Sequence, residues 1–270
     1  MSFTDTPLHD EIAAAVEWVA DRALGALSGA GGTDALAGEP PTGTDPRTVL
    51  AAVRVLGPDV FAPSLLTGAP CGAATVQLVE DACRLFPAAD LAATAASVAS
   101  PDPDPATSTR PGPVGPALPP GALVVGWRDW ATAELLARVG RSVPVPRPAV
   151  VPELAEPSDW ARWSLQLARL AGLALPTLES PVHELARREP LALARGATRS
   201  ILRRDHRTAV RLARWLAWLA ADGTPLPLDL PPLLRHLRWV GDVGPRSVLD
   251  LEIADLLLGG RPRPLGGTAR

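Results

Sequence analysis

Apolar positions recur every three to four residues over most of this chain, with polar residues between them, which is the period of an amphipathic helix. Ile12, Val16, Val19 and Ala20 mark a first helix from about 10 to 27, ended by the glycines between 29 and 32. The same period predicts helices over about 46–56 and 73–98, the second broken at Pro87. No strand is expected. The β-branched stretch from Val143 to Val151 carries prolines at 144, 146 and 148, which cannot donate to a ladder.

The longest amphipathic segment runs from Pro190 to Ala221. Projected at ~100° per residue, Ile201, Leu202, Ala209, Leu212, Leu216 and Leu219 share one arc. Arg195, Arg199, Arg203, Arg207 and Arg211 stand four apart and drift around the opposite half, with Arg204 and Arg214 alongside. At ~1.5 Å per residue the row is about 24 Å long. Asp205 is misplaced on this helix because it projects among the leucines. A buried carboxylate there needs a cation, so a tertiary ion pair fixing the helix register is expected.

Eight prolines fall within 101–121, favouring extended chain and dividing an Ala-rich part from a Leu/Arg/Trp-rich part. The expected organisation is therefore 1–100 as an acidic helical part, 101–121 as a linker or surface crossing, 122–260 as a second helical part, and 261–270 as a tail. Beyond the linker a weak repeat appears: residues 129–146 resemble 159–178, and 211–228 is a third relative. In each, a Leu/Ala helix ends near Gly, and a short loop leads to Pro. The fold class read from this is all-α, built of helical hairpins. An irregular α-solenoid or α/α-toroid is the finer expectation.

Composition narrows the chemistry. Among 270 residues there is no Lys, Asn or Tyr, a bias that follows from GC-rich coding. Without lysine there is no Schiff base, no pyridoxal-phosphate attachment and no P-loop or kinase-type lysine. The net charge of −3 hides an asymmetry, since residues 181–270 carry +6 and the remainder −9. The basic part thus suits an anionic partner or the chain's own acidic part. Two cysteines make no disulfide framework. Every apolar run meets a proline or charge before 18 residues, and the N-terminus is polar and acidic. A cytoplasmic protein without a membrane span is the expectation.

Individual motifs weigh mostly against catalysis. His183-Glu184 begins a zincin-like H-E-x-x, but Arg187 stands where the second histidine would be, so no zinc site is expected. Ser180 before Pro181 reads as a helix cap. No histidine has metal-ligand spacing with another or with a cysteine, and no metal or cofactor is assigned. Cys71 precedes a helix, where a thiol can become acidic, but no base is tied to it by sequence. Asp102 and Asp104 spell D-x-D between prolines, in the linker. Tryptophans pair at i,i+3 (160/163 and 215/218), as core anchors or as the lining of a groove.

The run from Val240 to Val248 resembles the hairpin of helix-hairpin-helix DNA-binding motifs, in which a Gly-hydrophobic-Gly turn offers amides to a phosphate. Val243-Gly244 match it, while Asp242 replaces the first glycine.

The functional expectation is a non-catalytic binding or scaffolding protein. Its candidate contacts are Arg195, Arg199, Arg203, Arg207, Arg211 and Arg214, meeting an acidic protein surface. Two alternatives stand beside it. One is nucleic-acid or phosphate binding through the arginine helix and the 240–248 hairpin. The other is an enzyme with an aromatic-lined pocket using Asp205 or Cys71.

Overall fold

Capping chemistry sets the helix boundaries. The computed structural model describes residues 5–30, 32, 34–87, 120–148, 159–240 and 244–259. Among them the helices are α1 (Asp5–Leu27), α2 (Pro46–Leu56), α3 (Ala62–Thr67), α4 (Ala73–Leu85), α5 (Pro120–Arg138), α6 (Trp160–Ala168), α7 (Pro181–Arg188), α8 (Pro190–Leu202), α9 (His206–Ala221), α10 (Leu230–Val240) and α11 (Pro245–Gly259). The described residues contain no strand, and the protein is all-α. Asp45 starts α2 by accepting the Arg47 amide at 2.9 Å, with Pro46 in the first position where its missing N–H costs nothing. Gly57 ends the same helix at φ +64, a conformation that favours glycine. The expected continuation of α4 past Pro87, most of the 101–121 segment and the 261–270 tail lie outside the described residues.

The residues before 88 and those after 120 share one apolar core. It holds Val19, Phe61 and Leu65 from the first part with Trp127, Trp163, Trp215 and Ile253 from the second. Helix α9 is the centre, touching α6, α8, α10 and α11, while α1 lies on α2 and on α11. A linear solenoid has contacts between neighbouring repeats only. Here the helices gather around α9, and α1 meets α11. Close approach needs small residues at one crossing: a Cβ on Gly196 would meet Ser164 at 2.4 Å.

The stretch Pro46–Thr67, combining α2, a 3-10 turn over Gly57–Phe61 and α3, is long and apolar enough to cross a bilayer by length and composition. The α-helix is broken within it, at Gly57 and the 3-10 turn that carries Pro58 and Asp59. Of its most apolar window, 72% is buried inside the protein, so here it serves as core.

The segment from Pro190 to Ala221 is two helices, not one. Arg204 adopts the left-handed conformation at φ +58, its amide bonds the Ile201 carbonyl at 2.9 Å, and the Asp205 amide reaches the Ser200 carbonyl at 2.9 Å. That pair of bonds is a Schellman ending. Asp205 then opens α9, its carboxylate accepting the Thr208 amide at 3.1 Å. It is an exposed N-cap, not a buried ion-pair partner. Asp is among the strongest N-cap residues, and that preference outweighed the projection of one continuous helix.

Candidate functional site

The break at Arg204 distributes the six candidate arginines among different environments. Arg195, Arg203 and Arg207 are exposed, as is Arg204, and none pairs with an acidic group among the described residues. Between them, at the end of α8, Leu202 is 79% exposed. Arg199 is half-buried and lies over the Trp160 ring, 5.8 Å from its centroid. Arg211 is half-buried and lines a half-open pocket of about 430 Å³.

Arg214 is fully buried, so it is no part of a wet face and the expectation for it is overturned. Its Nη2 meets Asp59 Oδ1 at 2.5 Å and its Nη1 meets Asp250 Oδ1 at 2.7 Å. Nε donates to the Ala174 carbonyl at 3.2 Å. Arg246, at the start of α11, completes the cluster by reaching Asp59 Oδ2 at 2.5 Å. Burial pushes the Asp59 carboxyl upward, but Arg214 and Arg246 together outweigh it and hold the group below its usual range. Burial likewise lowers the proton affinity of Arg214, and Asp59 and Asp250 more than restore it. Two carboxylates and two guanidiniums therefore share a buried site in which each charge has an opposite neighbour.

The sequence reading missed this cluster, although a signal was present. Asp59, Arg214 and Asp250 are single charges inside apolar runs (GPDVF, LARWL and VLDL). A charge that helix packing must bury requires an opposite one elsewhere.

A second buried polar group surrounds His183. Its Nδ1 lies 2.8 Å from Ser180 Oγ, and Nε2 lies 3.0 Å from the Leu173 carbonyl. Because a carbonyl only accepts, Nε2 carries the proton and Nδ1 accepts from the serine hydroxyl. Ser180 precedes α7 as expected, but its hydroxyl bonds the imidazole and makes no cap bond to the helix. Trp215 and Trp218 flank the ring at 5.4 and 4.8 Å between centroids. Burial, stronger than the pull of the Leu173 bond, lowers the His183 pKa to about 4. A serine beside a histidine suggests a nucleophile and its base. This imidazole, however, is too weak a base at neutral pH and is sealed by two indoles. Arg187 stacks on Trp218 and bonds Glu179, Glu184 and Asp222 outside that seal.

The remaining candidates separate in the same way. The Cys71 thiol is pushed up, first by burial and then by Asp34, against a lowering bond to Ser64. It is the opposite of an activated nucleophile. The adjoining cavity holds only about 30 Å³. Cys83 is raised further, to about 11, by burial and by Asp129. No cluster of three or more metal-ligating side chains occurs among the described residues. Five tryptophans are core as expected (127, 130, 163, 215 and 218), whereas Trp239 is 87% exposed. Residues 241–243 of the hairpin, and Asp102 and Asp104, lie outside the described residues. Comparison with protein-family models, curated proteins and solved structures gave no match.

Proposed function

We propose that this is a non-catalytic helical binding protein that docks an acidic protein segment on the elbow between α8 and α9. The observation that carries the reading is the setting of Leu202. It is 79% exposed beside Arg203 and Arg204, with Arg195 and Arg207 one to two turns away, and none of these cations is paired among the described residues. An exposed large apolar side chain ringed by arginines has the composition of a protein interface, in which an apolar centre is combined with Arg. Arg204 adds support, because the position it holds suits glycine at lower energy.

The helix break favours a protein over nucleic acid. A straight helix would carry its arginines in steady progression along phosphates. At the elbow the row changes direction after Arg203, and an apolar leucine occupies its middle. Among the acidic surfaces considered, the chain's own described carboxylates do not reach these cations, so the partner proposed is another protein.

Fluorescence anisotropy tests the reading with an acidic amphipathic peptide, Glu-rich with leucine every third or fourth residue, and a 20-base-pair DNA duplex as competitor. The peptide is expected to bind, to weaken by about five-fold or more in Leu202→Ser and in Arg203→Ala, and to weaken with salt. Tighter binding to the duplex, with a steep logarithmic salt slope, would replace the protein partner with nucleic acid. Peptide affinity unchanged in both variants would remove the elbow from the function.

A further inference from the structure

We propose that the half-open pocket lined by Arg128, Arg169, Arg211 and Arg246 is a binding site for a small organic oxyanion, a phosphate or carboxylate carried on an apolar body. The pocket, about 430 Å³, lies between α1, α2, α5, the 168–173 segment and the first residues of α11. Its size falls within the range of small-molecule sites. Four arginines and no carboxylate line it, and apolar side chains such as Val55 and Val124 supply the rest of the wall.

Charge balance is the main argument. Behind the wall, Asp59 and Asp250 are matched by Arg214 and Arg246. Glu17 adds one carboxylate beside Arg246, where it accepts that residue's backbone amide at 2.8 Å. Arg128, Arg169 and Arg211 make no ion pair among the described residues. Three guanidiniums, of which Arg169 is exposed and Arg128 and Arg211 are half-buried, thus remain without an ion-pair partner around one concave space, which gathers positive potential there. The donors are also incompletely used. Arg128 donates Nη1 to the Val55 carbonyl at 3.1 Å, but its buried Nε has no acceptor among the described residues, and neither has Arg246 Nη1. Unsatisfied buried donors of this kind are uncommon and costly in folded proteins.

The site is also constructed by the backbone. A Cβ on Gly57 would meet Arg128 Cγ at 2.5 Å, so the stem of Arg128 lies across the bare end of α2. That placement fixes the guanidinium without a carboxylate to hold it. Burial lowers the proton affinity of Arg128, with Arg54 and Arg246 adding to the effect against Asp129 and Asp59. An entering oxyanion would accept from the free donors and reverse the repulsion between the guanidiniums. Arginine forks suit both phosphate and carboxylate, which is why the two share one assignment.

The site is separate from the elbow, and its test can be read separately. Full-length protein at low salt is titrated by calorimetry with phenyl phosphate, benzoate and inorganic phosphate. Phenyl phosphate or benzoate is expected to bind with a Kd below about 1 mM, and whichever is tighter identifies the source of the oxyanion. Arg128→Gln and Arg211→Gln should each weaken it by about ten-fold or more, with Arg203→Ala unchanged as control. Circular dichroism identifies any variant that fails to fold. Arg211, half-buried and unpaired, keeps the test valid if Arg128→Gln does fail. No binding up to about 10 mM, or equal binding to the wild type and both Gln variants, overturns the proposal. Inorganic phosphate binding as tightly as phenyl phosphate overturns the apolar half of it. Acidic-peptide binding that survives Arg128→Gln while phenyl phosphate binding is lost confirms that the two sites are distinct.

Discussion

Arg203 and Arg214 are eleven residues apart and chemically identical, yet one is exposed and the other has no exposure at all. The difference lies in how the backbone delivers them. Arg203 closes α8, where the chain must turn, and its side chain extends into water. Arg214 stands two turns inside α9, on the face that meets α11, so packing buries it regardless of its charge. The interior then had to supply Asp59 and Asp250, whereas the elbow supplied nothing to Arg203. The same residue is a fixed structural cation in one place and an available one in the other. Arginine content alone therefore says little about binding.

The largest expected effect comes from breaking the buried member of the comparison. Arg214→Ala leaves Asp59 and Asp250 with only Arg246 nearby, and should cost about 3–5 kcal/mol in urea unfolding. Retention of wild-type stability would mean that the carboxylates are relieved by protonation or water.

Acid provides a finer division of the interior. The pKa of His183 is lowered from 6.5 to about 4, so the unfolded chain binds a proton more readily over that interval. Its contribution is complete above pH 6.5 and is lost as pH falls towards 4, by at most ~3 kcal/mol. Asp59 behaves differently. Its pKa is lowered below 3.8, so its contribution persists through the histidine window and disappears only at lower pH. Stability measured against pH in wild type and His183→Gln should show the first loss only in the wild type.

The smallest effects belong to the elbow. Arg203→Ala should change stability by no more than ~0.5 kcal/mol, as for an unpaired surface side chain. Arg204→Gly should raise stability by ~1 kcal/mol, because glycine accepts φ +58 without the clash of a Cβ. If Arg204→Gly were destabilising, the arginine would have a structural contact there and the contrast with Arg214 would weaken.

Much of the fold could be read from periodicity, because helix-forming positions are local. Helix α2 starts and ends where the spacing, Pro46 and Gly57 indicate, and α1 ends at Leu27 as expected. The site was less legible for two physical reasons. Periodicity carries through a three-residue break without losing its phase, so Arg203-Arg204-Asp205 looked like helix. Only the N-cap preference of Asp205, followed by Thr208, could have indicated the break. The buried cluster draws its four charges from three parts of the chain far apart in sequence, and no local pattern says which lone Asp meets which lone Arg. The sequence argument that a buried carboxylate needs an arginine was sound but was attached to the wrong aspartate. The placing of Arg128 was not legible at all, since the pocket that it lines is formed only by packing.

The pairing of Asp59 with Arg214 also bears on the order in which the chain can mature. The two are separated by 155 positions. At ~5–20 residues per second, a ribosome makes the aspartate roughly 8–30 seconds before its arginine. Arg246 comes later still. Throughout that interval the nascent first half carries a carboxylate in its most apolar stretch with neither guanidinium to meet it. Residues 46–67 consequently cannot bury themselves at full benefit on their own. Final consolidation has to wait for Arg246 and α11 to leave the exit tunnel.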